Sequence, residues 1–152
     1  MFVFTLKWNK KLAILIIIAA AIVLCALIVS IGKSGSNNSS GSKVKTNEDR
    51  QMFLESLGWE VDTSPLEEKK VIIPKEFSKV YSTYNNLQLE QGFDLSKYCG
   101  LEVTIYTYRI KNYPDYIGEV VAELYVLNYE VVGGDVHSLA LDGFMHGLRR
   151  SS

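Results

Sequence analysis

Residues 119–136 run EVVAELYVL, then NY, then EVVGGDV: two apolar, β-branched stretches separated by Asn128-Tyr129. Val120, Ala122, Leu124 and Val126 alternate with Val121, Glu123, Tyr125 and Leu127. Successive strand residues point to opposite sides of a sheet, so the first set makes an aliphatic face and the second a mixed one. A link this short favours antiparallel neighbours. The stretch 101–110 repeats the pattern, with Leu101, Val103 and Ile105 on one side and Glu102, Thr104, Tyr106 and Tyr108 on the other. Strands are therefore expected over 101–110, 119–127 and 130–136, the first two joined through a Pro114/Gly118 loop.

Upstream, Thr46-Asn47 followed by Glu48-Asp49 marks a helix start, and Gly58 a helix end, which predicts a helix over 48–57. Two short strand candidates follow, 59–62 and 71–73, separated by the polar stretch 63–70. Pro74 opens a second helix in which Phe77, Val80, Tyr81, Tyr84, Leu87 and Gln91 form one stripe, closed by Gly92. The fold class expected is α+β: two helices packed on the aliphatic face of a three-to-five-stranded, mainly antiparallel sheet. The mixed face, with its tyrosines and carboxylates, is expected to look toward water or a partner.

Before this domain lies an apolar run of eighteen residues that begins at Leu12, preceded by Lys7, Trp8, Lys10 and Lys11. At about 1.5 Å per helical residue it covers about 27 Å, close to the hydrocarbon thickness of a bilayer. Its twelve Leu, Ile and Val residues contribute about −4 to −7 kcal/mol to insertion at most. A cleaved signal fits less well, because the run is long and its small-residue site, Ala19-Ala20-Ala21, lies mid-run. A lipoprotein fits poorly too, since Leu24 precedes Cys25. The expected organisation is a cytoplasmic tail over 1–11, a transmembrane signal anchor over 12–31, a Ser/Gly/Asn/Lys tether over 32–47 and an extracytoplasmic domain over 48–149. The N-terminal lysines place the tail inside and the domain outside the plasma membrane. Such a tether has a reach of about 20 Å, with a limit near 50 Å.

The chain carries a net charge of −1, but all seventeen acidic residues lie at Glu48 or beyond, alongside only ten basic ones. The domain is therefore at −7, which disfavours nucleic acid and anionic headgroups as partners. Cys25 lies in the apolar run and Cys99 in the domain, so no disulfide framework is expected.

Nine tyrosines lie in the domain. Tyr106, Tyr108 and Tyr125 are candidates for a recognition surface, because tyrosine offers large amphipathic area at small entropic cost. Its ordinary preference for strands explains them equally well. The segments 133–138 and 141–147 hold both histidines. Asp135 and His137 share a strand face, and with Asp142 or His146 they form a donor set of zinc type, although the spacing matches no established ligand pattern. Cys99 with either histidine, or Asp135 with Asp142, could be written as nucleophile and base or as acid and base. No nucleophile elbow, HExxH or phosphate-binding glycine loop supports catalysis. The glycines fit a strand end, a bulge and a turn. No cofactor or metal is expected. The leading functional expectation is a membrane-anchored envelope protein that binds a protein or peptide partner. A metal-dependent or hydrolytic enzyme and a small-ligand sensor are the alternatives.

Segments 56–61 (SLGWEV), 91–95 (QGFDL), 106–114 and 141–148 (LDGFMHGL) together resemble an uncharacterised bacterial family, domain of unknown function 4830, over roughly residues 49–148. The resemblance implies a clostridial-type Gram-positive cell, a domain facing the envelope behind a membrane span, and weight on the two glycine-rich segments. It implies no activity, cofactor or catalytic residue.

Overall fold

The computed structural model describes residues 42–150. The tail, the membrane span and residues 32–41 of the tether lie outside the described residues. Among the described residues no helix is long and apolar enough to cross a membrane. The domain contains helix α1 (Asn47–Ser56), strand β1 (Glu67–Ile72), helix α2 (Lys79–Glu90), a 3-10 turn (Leu95–Tyr98), and strands β2 (Glu102–Arg109), β3 (Val120–Leu127), β4 (Glu130–Ser138) and β5 (Met145–His146). The five strands form one antiparallel meander in the order β1-β2-β3-β4-β5. The α+β class and the three long strands match expectation.

Local chemistry sets the helix starts. Thr46 Oγ1 accepts from the Asp49 amide, and the Asp49 carboxylate accepts from the Thr46 amide, a reciprocal capping box. Helix α2 begins at Lys79, five residues after Pro74. Ile73 is still tied to the entrance of β2 by bonds to Leu101 and Gly100, so the chain turns first and Ser78 supplies the cap.

Three expectations about element boundaries are corrected. The stretch 63–70 is expected only as a polar separator between two strands, yet Glu67 to Lys70 begin β1. An edge strand needs no apolar face of its own, and its charges find partners on neighbouring strands, as in Lys70–Glu102 at 3.1 Å. Residues 59–62 make no strand: only Val61 bridges, to Ile110, while Trp59 is buried with its indole N–H donating to Leu148 O at 2.6 Å. The folded unit also starts before Glu48, because Val44 is buried and Val44 N bonds to Tyr129 O. The last residues of the expected tether thus belong to the domain.

The largest correction concerns the faces. Tyr106 lies opposite Leu124, and Ile105 opposite Tyr125, so the aliphatic face of β3 continues into Tyr106 and Tyr108. On that face sits α1, its Phe53 and Leu54 packed with Tyr108, Ala122 and Leu124. On the opposite, mixed face sits α2, its Tyr81 and Tyr84 packed with Val103, Val132 and Tyr125. The two helices therefore cover opposite faces, and the mixed face is roofed.

Candidate functional site

Asn128 and Tyr129 both adopt positive φ, 51° and 66°, closing the two-residue hairpin between β3 and β4. A bulge follows, where the register passes from Val126↔Val131 to Tyr125↔Gly133. Beyond it Glu123 lies directly opposite Asp135 and Val121 opposite His137. Asp135 and His137 thus reach the same mixed face as Tyr125 and Glu123, beneath α2.

There Asp135 is almost wholly buried, at 1% exposure. Its Oδ2 accepts from the Tyr84 hydroxyl at 2.6 Å, and its Oδ1 accepts from His137 Nδ1 at 2.7 Å. That second bond lifts the His137 pKa above its usual value despite burial. Burial and the Asp135 charge push the Tyr84 hydroxyl far up, and burial does the same to Tyr125. Glu123 Oε1 accepts from Thr107 Oγ1 at 3.2 Å and lies 3.9 Å from Lys69 Nζ. Burial, followed by the facing Asp135, raises its carboxyl pKa.

Of these residues Tyr84, Glu123, Tyr125 and Asp135 line a cleft of about 720 Å³ between α2 and the sheet. Val80, Tyr81, Tyr84 and Leu87 face it from the helix, Tyr125, Glu123 and Asp135 from the sheet, and Met145 from β5. Its walls are apolar and aromatic, and its charged groups are the two carboxylates of one cross-strand pair. The volume lies in the range of pockets that take small molecules or side chains.

The seven candidate residues fall in four places. Tyr125, Asp135 and His137 are brought together at the cleft. Tyr106 and Tyr108 lie on the other face and hold α1. Tyr108 is fully buried, its hydroxyl accepting from Arg50 Nε and donating to Asn47 Oδ1, both at 2.9 Å, while the Arg50 guanidinium lies 3.7 Å over the Tyr106 ring. His146 joins Trp59, Tyr113 and Phe144 in a ring cluster; its Nδ1 donates to Gly147 O at 2.7 Å and its Nε2 accepts from the Tyr113 hydroxyl at 3.0 Å. Asp142 is exposed in the loop between β4 and β5. Because His146 pairs with Val136 and Met145 with His137, the two histidines point to opposite faces. The proposed four-residue donor set is thus not assembled, and among the described residues no group of three or more His, Cys, Asp or Glu could hold a metal ion. Cys99 is exposed.

Sequence reasoning missed the contribution of α2. Tyr84 and Tyr81 were assigned to a core stripe, and Glu123 only to a mixed face. A carboxylate inside an otherwise aliphatic strand, facing tyrosines three apart on a helix, was the available signal.

A single α+β domain with a helix on each sheet face and a cleft under one of them is the class of molecule that this geometry defines. The family described as domain of unknown function DUF4830 matches residues 53–136, and the chain belongs to that family. The match takes in α2 and the strands that carry Glu123, Tyr125 and Asp135, and it stops before the segment 141–148. No curated protein and no solved structure matches the chain.

Proposed function

We propose that this chain is a membrane-anchored envelope protein, held by residues 12–31, whose domain binds a segment of a protein or peptide partner in the cleft beneath α2. The cleft itself carries this proposal. A roofed space with aromatic walls and partly desolvated carboxylates keeps polar groups out of full contact with water, a cost that a ligand able to pair with them relieves. The apolar run and the net charge of −7 from Glu48 onward support a domain that stays near the membrane without lying down on anionic lipid. A free small molecule sensed in the same space is the second reading, favoured by the volume of about 720 Å³.

Thr83 lines the cleft and is solvent-exposed, so Thr83→Trp fills the entrance without disturbing the core. Full chain in native membranes, photo-crosslinked from a residue at position 80, is expected to give a discrete adduct. The adduct should vanish when the cleft is blocked by Thr83→Trp. Identical adducts from open and blocked chains would remove the cleft from the account. A thermal shift with a metabolite mixture, lost on blocking and unaccompanied by any protein adduct, would favour the sensor.

A further inference from the structure

Building on that cleft, we propose that its occupant is the side chain of a lysine on the partner segment, with the ammonium on Glu123 and the methylenes along Tyr84, Leu87 and Tyr125. Asp135 is already satisfied. Both of its oxygens are taken, one by the Tyr84 hydroxyl and one by the His137 ring. Glu123 is not: against one hydroxyl bond from Thr107 and an ammonium only as near as 3.9 Å, it faces a second carboxylate directly across the strand pair. A cation arriving there gains from both carboxylates, whereas an anion meets two like charges in a partly desolvated space.

Details of the site choose between cations. Thr107 occupies Glu123 Oε1, and a guanidinium fork is best matched by two free carboxylate oxygens. A point charge on a flexible stem needs only one. The chain's own Lys69 ammonium already approaches Glu123 from β1 on the same sheet face, so this carboxylate accepts ammonium partners. The apolar walls suit the four-carbon stem, and the tyrosine rings of the lining give its methylenes aromatic surface to pack against. The rim favours a peptide over a free amine. Val80 is 80% exposed and Met145 51%, and both line the cleft, leaving apolar surface outside the pocket for residues that flank the lysine. A domain at −7 steers basic segments toward itself.

The test is an NMR titration of the full chain in detergent, labelled at the methionine methyls. Met145 reports the cleft, and Met52, on α1, serves as the internal control for fold. The probes are acetyl-Leu-Lys-Leu-amide, the same peptide with norleucine or glutamate in place of lysine, and n-butylammonium. The lysine peptide is expected to shift Met145 and leave Met52 in place, binding at least tenfold more tightly than the other three. Glu123→Gln, which keeps an acceptor for Thr107, should erase that preference, and Lys69→Gln should tighten the lysine peptide several-fold by removing the internal competitor. Equal binding of the norleucine or glutamate peptide overturns the ammonium assignment. Equal binding of n-butylammonium overturns the peptide source, and no shift of Met145 by any probe overturns the inference outright. Should the norleucine peptide bind and Thr83→Trp abolish that binding, the cleft stands as the binding site and only its charge preference falls.

Discussion

Gly134 shows how much one missing side chain decides. A Cβ there would collide with the Glu123 carbonyl oxygen and come within 2.8 Å of Leu148 Cδ1. Backbone cannot yield as a flexible side chain does, so Gly134→Ala is expected to destabilise the domain by about 2–3 kcal/mol, read as a lower denaturant midpoint. An unchanged midpoint would mean that β4 can shift away from β3 at no cost. Glu123 lies on the opposite side of the balance. Its raised carboxyl pKa means that the ionised form is held less favourably in the folded chain than in the unfolded one. Glu123→Gln should therefore raise the denaturant midpoint of the unliganded domain at neutral pH while it weakens binding. Loss of both stability and binding would instead make Glu123 a structural residue. Of these two positions the sequence made one legible. Gly133-Gly134 inside a β-branched run signals close approach or a bulge, and both occur. The loading on Glu123 was illegible, because it depends on Asp135, which is twelve residues away and opposite only because the bulge sets the register.

Strand β4 is completed by side chains as well as by strands. Next to Gly134, where β5 does not reach, Gln88 Oε1 accepts the Gly134 amide at 2.9 Å and Gln91 Nε2 donates to the Gly134 carbonyl at 3.0 Å. Gln91 Oε1 in turn accepts the Leu148 amide at 2.6 Å. A glutamine amide thus stands in for a peptide unit between β4 and the chain after β5. Gln91→Leu leaves a carbonyl and an amide without partners, each costing about 1–3 kcal/mol. Hydrogen exchange should show the Leu148 amide losing protection while α1 keeps its own; uniform loss would mean that the C-terminal segment and the core open together. At this scale the long strands and the first helix were readable, because alternation and capping are local. The pairing of faces was not. Each strand's two sides were assigned correctly, but which side of β2 continues which side of β3 depends on register across the Pro114/Gly118 loop, and that choice sent α2 to the mixed face. Strand β1 was hidden by its Glu-Glu-Lys-Lys sequence, a composition that protects an edge and reads as loop.

Across the whole domain, the Asp135–His137 pair links stability to pH. The groups that face His137 are Asp135, Glu123 and Lys69. The hydrogen bond to Asp135 outweighs burial and the lysine, so the folded pKa of His137 stands above its ordinary 6.5. A raised folded value means that protonated His137 contributes stability in full below about pH 6.5, and that this contribution fades as pH rises through the folded pKa. Glu123, also raised, has the same sign: its protonated form favours the fold, and that contribution fades as pH climbs from about 4.5 through its folded pKa. Asp49 and Asp94 act in the opposite direction. Backbone and side-chain hydrogen bonds lower their pKa values, so their contributions are present above the ordinary carboxylate range and are lost as pH falls through the folded values. Both sit at helix starts and stay partly open to water, which keeps their effect small. The sum predicts a denaturant midpoint higher at pH 6 than at pH 8, with the decline confined to the window above about 6.5. In His137→Gln, which retains a donor for Asp135 but cannot titrate, the midpoint should be flat across that window. If the variant declined as steeply as the natural chain, the dependence would belong to other groups and the pair would be only a buried hydrogen bond. Where His137 does govern the decline, the same protonation compensates the Asp135 charge and leaves Glu123 as the one uncompensated carboxylate in the cleft, so binding of the lysine peptide should weaken as pH falls through the raised pKa of Glu123 and that carboxylate takes up its proton.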